Sequence, residues 1–92
     1  MLTFEWDENK ANSNVHRHKM TFEEASTAFK DTFSFTIDDP LHSQDENRLI
    51  LLGMSYKNRL IVVIHTERDN IIRIISARKA SKKERILYES DV

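Results

Sequence analysis

Cysteine is absent from this 92-residue chain, and glycine and proline occur once each. Without thiols there is no disulfide framework, no thiolate metal centre and no cysteine nucleophile, a composition compatible with an intracellular protein. Gly53 as the single glycine excludes a glycine-rich phosphate loop, so any phosphate chemistry has to run through side chains. The longest unbroken aliphatic run, Leu60 to Ile64, is far too short to cross a bilayer. The opening MLTFEWDE has no basic segment leading into an apolar one, so the expectation is a soluble, cytoplasmic protein with no membrane partner. Metal-ligand spacing is also missing. His16 and His18 lie about 200° apart around a helix, while His42 and His65 fall in a loop and a strand, so no metal and no cofactor are expected.

Charge is plentiful but unevenly spread. The net charge is −1, yet residues 1–46 hold four Lys/Arg against ten Asp/Glu, and residues 47–92 hold ten against five. Such asymmetry points to a cationic surface for a polyanion, unless the halves interleave in space and neutralise each other.

Hydrophobic periodicity divides the chain into short elements. Leu2, Phe4 and Trp6 alternate as a half-buried strand does. Asp7 is placed to cap a helix from Glu8 to about His18, with Ala11, Val15 and His18 on one face. Thr21-Phe22-Glu23-Glu24 reads as a capping box opening a second helix to about Lys30, its Phe22, Ala25 and Phe29 facing the core. Thr32 to Asp38 alternates again as a strand, and Asp39-Pro40 ends it before a polar loop through Asn47. Arg48 to Tyr56, Leu60 to Arg68 and Ile71 to Ser76 are β-rich runs joined by polar turns at Lys57-Asn58 and Asp69-Asn70. The middle run is apolar on both faces and belongs near the sheet centre. Ser81 to Glu84 forms a second capping box, starting a last helix that ends near Tyr88. The expected fold is α+β, one domain over residues 1–92: an antiparallel β-sheet with two N-terminal helices and one C-terminal helix.

The run IIRIISARKA, residues 71–80, carries the main chemical signal. A cation inside an apolar β-run costs desolvation unless it is paired or faces a cleft, so Arg73 among four isoleucines points to an anion site. Arg48, Arg73 and Arg78 each suit a bidentate grip on phosphate. The alternative is structural ion pairing, for instance Arg73 with Glu67 or Glu46. Lys79, Lys82 and Lys83 read as phosphate-steering or simply solvated. His65 and Glu67 share one side of a strand, a spacing that suits a proton-transfer pair or a polar core edge. Trp6 can stack on a base, although its parity with Phe4 favours the core. Tyr88 fits either catalysis or packing.

The segment Phe4, Trp6, Asp7, Lys10, Asn14 and Arg17-His18-Lys19, with TFEEA at 21–25 and IRIISAR followed by lysine, resembles the BrnT family of toxins from bacterial toxin–antitoxin modules. The resemblance implies a RelE-like fold and a metal-independent endoribonuclease that cuts cellular RNA. It also implies neutralisation by a BrnA-like ribbon-helix-helix antitoxin, with promoter DNA bound only through that complex. On this reading Lys10 and His18 join Arg48, Arg73 and Arg78 as catalytic candidates, with His65 and Glu67 as further proton carriers. Spacing alone makes Lys10 a solvated residue and His18 a helix-terminal cation. Lys19 stands where the family usually has glycine, and lysine suits a left-handed helix end poorly. That departure leaves open a catalytically silent co-repressor subunit with the same fold and partner, or a simple RNA-binding domain.

Overall fold

The computed structural model describes residues 2–40 and 47–90. His42 and Glu46 lie outside the described residues. The elements run β1 (Thr3–Glu5), α1 (Glu8–His18), α2 (Phe22–Thr27) with a 3-10 turn at Ala28–Lys30, β2 (Phe35–Asp38), β3 (Leu49–Met54), β4 (Leu60–Arg68), β5 (Ile71–Lys79) and α3 (Lys82–Ser90). The five strands form one sheet in the order β1-β5-β4-β3-β2. β4 lies at its centre, as its two apolar faces require.

The sheet is mixed, which corrects the expected all-antiparallel arrangement. β2 through β5 pair antiparallel, but β1 joins the β5 edge in parallel, Thr3 opposite Ile71 and Glu5 opposite Arg73. Parallel neighbours need a long crossover, and α1, α2 and the meander together supply it. No local pattern in β1 encodes which strand it meets.

Each helix starts where a side chain satisfies a free amide. Asp7 accepts from the Lys10 amide at 3.1 Å, and Thr21 accepts from the Glu24 amide at 3.0 Å. Only the threonine half of that first box forms, because the Glu24 carboxylate turns inward to Ser55 and Arg59. Ser81 and Glu84 complete theirs: the Ser81 amide donates to Glu84 at 2.7 Å and the Glu84 amide to Ser81 Oγ at 3.2 Å. α1 ends at Lys19, whose φ of 56° is left-handed and whose amide donates to the Val15 carbonyl. Lysine thus takes the backbone conformation for which glycine is the usual choice. Asp69 and Asn70, both at positive φ, make the tight β4–β5 turn.

Two cores flank the sheet. Met20, Phe22, Ala25 and Ala28 pack on Leu51, Ile61, Val63, Ile72, Ile74 and Ala77, with Phe4 and Trp6 at the margin. Tyr88 of α3 covers Leu52, Leu60 and Val62 on the opposite face. Gly53 lies against the 3-10 turn, where an added Cβ would stand 2.9 Å from the Ala28 carbonyl and from Ser34 Cβ. The inward stripe of α1 differs from expectation. Val15 is exposed and Asn14 is buried in its place, held by three hydrogen bonds that an apolar residue could not make. The strand expected from Thr32 begins at Phe35 instead. Asp31 bends the preceding residues by accepting from the Phe33 amide, which leaves the Phe33 side chain in solvent.

Candidate functional site

The expected site residues are scattered over the fold, and only some of them come together. Arg73 lies on an outward face of β5, and with its side chain 47% exposed it is not the buried cation that the run of isoleucines suggests. Its neighbours Ile72 and Ile74 point to the core while Arg73 meets Glu5 of the adjoining strand at 2.9 Å. The register places Arg78 on the same face, its partner Val62 four residues from Thr66 opposite Arg73, about 13 Å further along the sheet. Arg78 grips both oxygens of Glu84, at 2.8 and 2.9 Å. That guanidinium, helped by the Ser81 amide and hydroxyl and opposed by burial, holds the Glu84 carboxyl down at about 2. Lys79, Lys82 and Lys83 are exposed around this corner, where β5 passes into α3.

His65 is fully buried. Its ring meets Phe29 edge-on at 4.8 Å, and Nε2 lies 3.1 Å from the half-exposed carboxylate of Glu67. Arg48 is half-buried just before β3, and its carbonyl accepts from the Asp39 amide. Trp6 packs edge-on against Phe22 at 5.9 Å and donates its indole N–H to Glu8.

Lys10 and His18 do come together. A cleft of about 310 Å³ runs between α1 and β5, lined by Lys10, Ser13, Asn14, Arg17 and His18, with Asn9, Ile75 and Ser76 closing it. Helical periodicity explains the convergence: positions 10, 13, 14, 17 and 18 follow i, i+3, i+4, i+7 and i+8, a single stripe. Lys10 and Arg17 bring positive charge, and none of the lining residues is acidic. The strand side of the cleft coincides with the irregularity in the β4–β5 ladder, where Ile64 faces Ser76, His65 faces Ile74, and Ile75 is left over.

Arg17, Ser13 and Ser76 are the cleft residues that a reading by strand parity passes over. Arg17 and Ser13 were visible as members of the Lys10 stripe; Ser76 was not, because its position depends on the bulge. Among the described residues, no three His, Cys, Asp or Glu side chains gather as a metal-binding group, and no helix is long and apolar enough to cross a membrane.

Two polar clusters elsewhere, one buried and one half-buried, hold the scaffold. Glu24, almost wholly buried, accepts from Ser55 Oγ at 2.7 Å and Arg59 Nε at 2.8 Å, with a second bond from Arg59 Nη2. Arg59 keeps the Glu24 carboxyl below its ordinary range against the opposing effect of burial. Asp31 accepts from the amides of Phe33 and Met54 and from Tyr88 at 2.6 Å, tying α3 to β3. Burial and the Asp31 carboxylate push the Tyr88 hydroxyl up to about 12. For Asp31, burial acts upward but the three donors together prevail, and its carboxyl lies below the usual range. Tyr88 therefore serves packing and anchorage in this fold.

Comparison with known proteins agrees with the arrangement. The crystal structure of the Brucella abortus ribonuclease toxin BrnT superposes with a TM-score of 0.69 at 21% identity, covering 89% of this chain and all of that one. Curated proteins give no match. The family model described as the ribonuclease toxin BrnT of type II toxin–antitoxin systems matches residues 6–84, from Trp6 through the Arg78 partner Glu84. The chain belongs to the BrnT family of ribonuclease toxins.

Proposed function

We propose that this protein is a metal-independent endoribonuclease toxin, and that the scissile phosphate of RNA sits in the α1–β5 cleft. The observation that carries the proposal is the convergence of Lys10, Arg17 and His18 on one cleft with no acidic lining residue. Cleavage without a metal needs a base for the ribose 2′-hydroxyl, positive charge for the phosphorane and a proton for the leaving oxygen. In the proposed step the 2′ oxygen attacks phosphorus and His18 takes its proton. The bond from phosphorus to the 5′ oxygen breaks, and the Lys10 ammonium protonates that oxygen. A cyclic 2′,3′-phosphate and a 5′-hydroxyl result. Arg17 grips the nonbridging oxygens, while Lys79, Lys82 and Lys83 steer the flanking backbone.

In this reading the paired Arg73 and Arg78, like Arg48, act outside the reacting phosphate. Buried His65, with Glu67, shapes the sheet. The helix-on-sheet arrangement is then a variant of the RelE-like fold, formed by residues 1–92 as one cytoplasmic toxin domain. The partner is a BrnA-like ribbon-helix-helix antitoxin, through which promoter DNA is reached. Lys19 adopts the left-handed turn that ends α1, so the helix carrying Lys10, Arg17 and His18 runs its full length despite the missing glycine, which supports the active reading over a silent co-repressor.

The test is cleavage of a labelled single-stranded RNA in EDTA by the native chain, Lys10→Ala, Arg17→Ala and His18→Ala. Each variant is expected to lose about 100-fold in rate, the usual scale for one proton carrier or oxyanion contact. Native-like cleavage by all three variants overturns the cleft as the site. Cleavage abolished by EDTA overturns metal independence.

A further inference from the structure

The Asn14 carboxamide occupies a position normally filled by a strand. β1 pairs with β5 only as far as Arg73, so among the described residues that edge of β5 has no strand neighbour beyond it. At Ala77 the missing neighbour is replaced by one side chain: Asn14 Nδ2 donates to the Ala77 carbonyl at 2.9 Å, and Asn14 Oδ1 accepts from the Ala77 amide at 3.1 Å. These two bonds reproduce what a paired strand residue exchanges. The second Nδ2 hydrogen goes to the Met20 carbonyl at 2.9 Å, in the turn between α1 and α2. The amide orientation follows, since its nitrogen must face two carbonyl oxygens and its oxygen an N–H.

Asn14 is 5% exposed and forms part of the cleft wall. Its neighbours on the helical stripe are Lys10, Arg17 and His18, and the residue before Ala77 is Ser76. The other α1 side chains towards the sheet, Ala11 and His18, are only partly buried, so apolar packing fixes the helix weakly in this direction. A hydrogen-bonded clasp fixes both its rotation and its height.

We infer that Asn14 is a positioning residue that sets the cation stripe of α1 against the bulged edge of β5, and through it the catalytic geometry of the cleft. The inference rests on the cleft being the reaction site. A shift of about 1 Å in reacting groups costs on the order of 100-fold in rate, so loss of the clasp should lower kcat far more than it alters KM.

The experiment compares the full-length native protein with Asn14→Ala and Asn14→Asp on labelled single-stranded RNA. Measurements run between about pH 4 and pH 7, at a temperature where circular dichroism shows each protein folded. Hydrogen exchange at the Ala77 amide is followed in parallel. Asn14→Ala is expected to expose the Ala77 amide and to lower kcat about 100-fold with KM within about threefold. Asn14→Asp presents a carboxylate to two carbonyl oxygens at neutral pH. Once protonated, it can donate to the Ala77 carbonyl and still accept from its amide. Its kcat relative to native should therefore rise as pH falls towards about 4, which a generally loosened scaffold would not do. A folded Asn14→Ala with native kcat overturns the positioning role while leaving the cleft assignment intact. If the native chain itself does not cleave, the proposed activity fails and exchange decides the clasp. Faster exchange in Asn14→Ala supports the contact as the helix anchor, and unchanged protection overturns it.

Discussion

Replacing Arg59 by methionine tests whether a buried carboxylate holds α2 to the β3–β4 turn. Glu24 is 2% exposed, and Arg59 supplies two of its three side-chain donors, leaving Ser55 when it is removed. Removing one partner of a buried pair typically costs about 3–5 kcal/mol. The Arg59 side chain is 27% exposed, so solvent already screens part of the attraction and the lower end, about 3 kcal/mol, is expected. In a domain this size that corresponds to a Tm lower by about 12–24 °C.

The pH dependence distinguishes charge from packing. In the native protein the Glu24 carboxyl is lowered, so its contribution is present above the unfolded value of 4.5 and lost as pH falls through the folded value. In Arg59→Met burial becomes the largest influence, opposed only by the Ser55 bond and the weaker Lys57 charge, and the carboxyl is expected to move up instead. Its penalty is then full above the raised value and disappears on protonation. The stability gap between the two proteins should shrink by at least about 1 kcal/mol between pH 7 and pH 4. Urea unfolding followed by the single tryptophan, Trp6, and by circular dichroism measures it. A gap unchanged with pH, or one below about 1 kcal/mol at pH 7, refutes the argument and makes the pair an ordinary surface contact.

Gly53→Ala should destabilise by about 1–3 kcal/mol in the same urea assay, because its Cβ meets a backbone carbonyl that cannot swing aside. A native midpoint would show that the 3-10 turn yields freely. Tyr88→Phe should cost about 2 kcal/mol at pH 7 by removing a hydrogen bond to the Asp31 carboxylate. The Tyr88 hydroxyl is raised, so the stability it contributes is complete below its unfolded value of 10 and lost as pH rises through the folded value of about 12. The native protein should therefore lose stability over that interval while Tyr88→Phe loses less, as read by urea midpoints at each pH.

Helix starts and hairpin turns are legible in the sequence because their causes lie within four residues. Asp7, Thr21 and Ser81 cap as read, and Asp69-Asn70 turns as read. The apolar β4 likewise declares its central place. What escapes a local reading is pairing at long range. β1 running parallel to β5 depends on residues 68 positions apart, and Arg73 meets Glu5 only because of that register. The isoleucines around Arg73 made it look buried, yet alternation along a strand sends every second side chain outward. Glu24 shows a competition of the same kind. Locally it should close a capping box, but the charge-assisted contact with Arg59 outweighs one exposed amide. Of the cleft, Lys10 and His18 are readable through the family likeness and Arg17 through the helical stripe, whereas Ser76 required the bulge.

The clasp between Asn14 and Ala77 joins residues 63 positions apart, and β5 also supplies the surface on which Phe22 and Ala25 pack. During synthesis at about 5–20 residues per second, α1 therefore waits roughly 3–13 s before the strand that orders it has been made. Until then the stripe of Lys10, Arg17 and His18 belongs to a short, unsupported helix with no opposing wall. A nascent chain carries the chemical groups of the cleft long before it carries the cleft. Because the clasp spans 63 residues, the proposed reactive geometry follows the synthesis of β5 rather than that of α1.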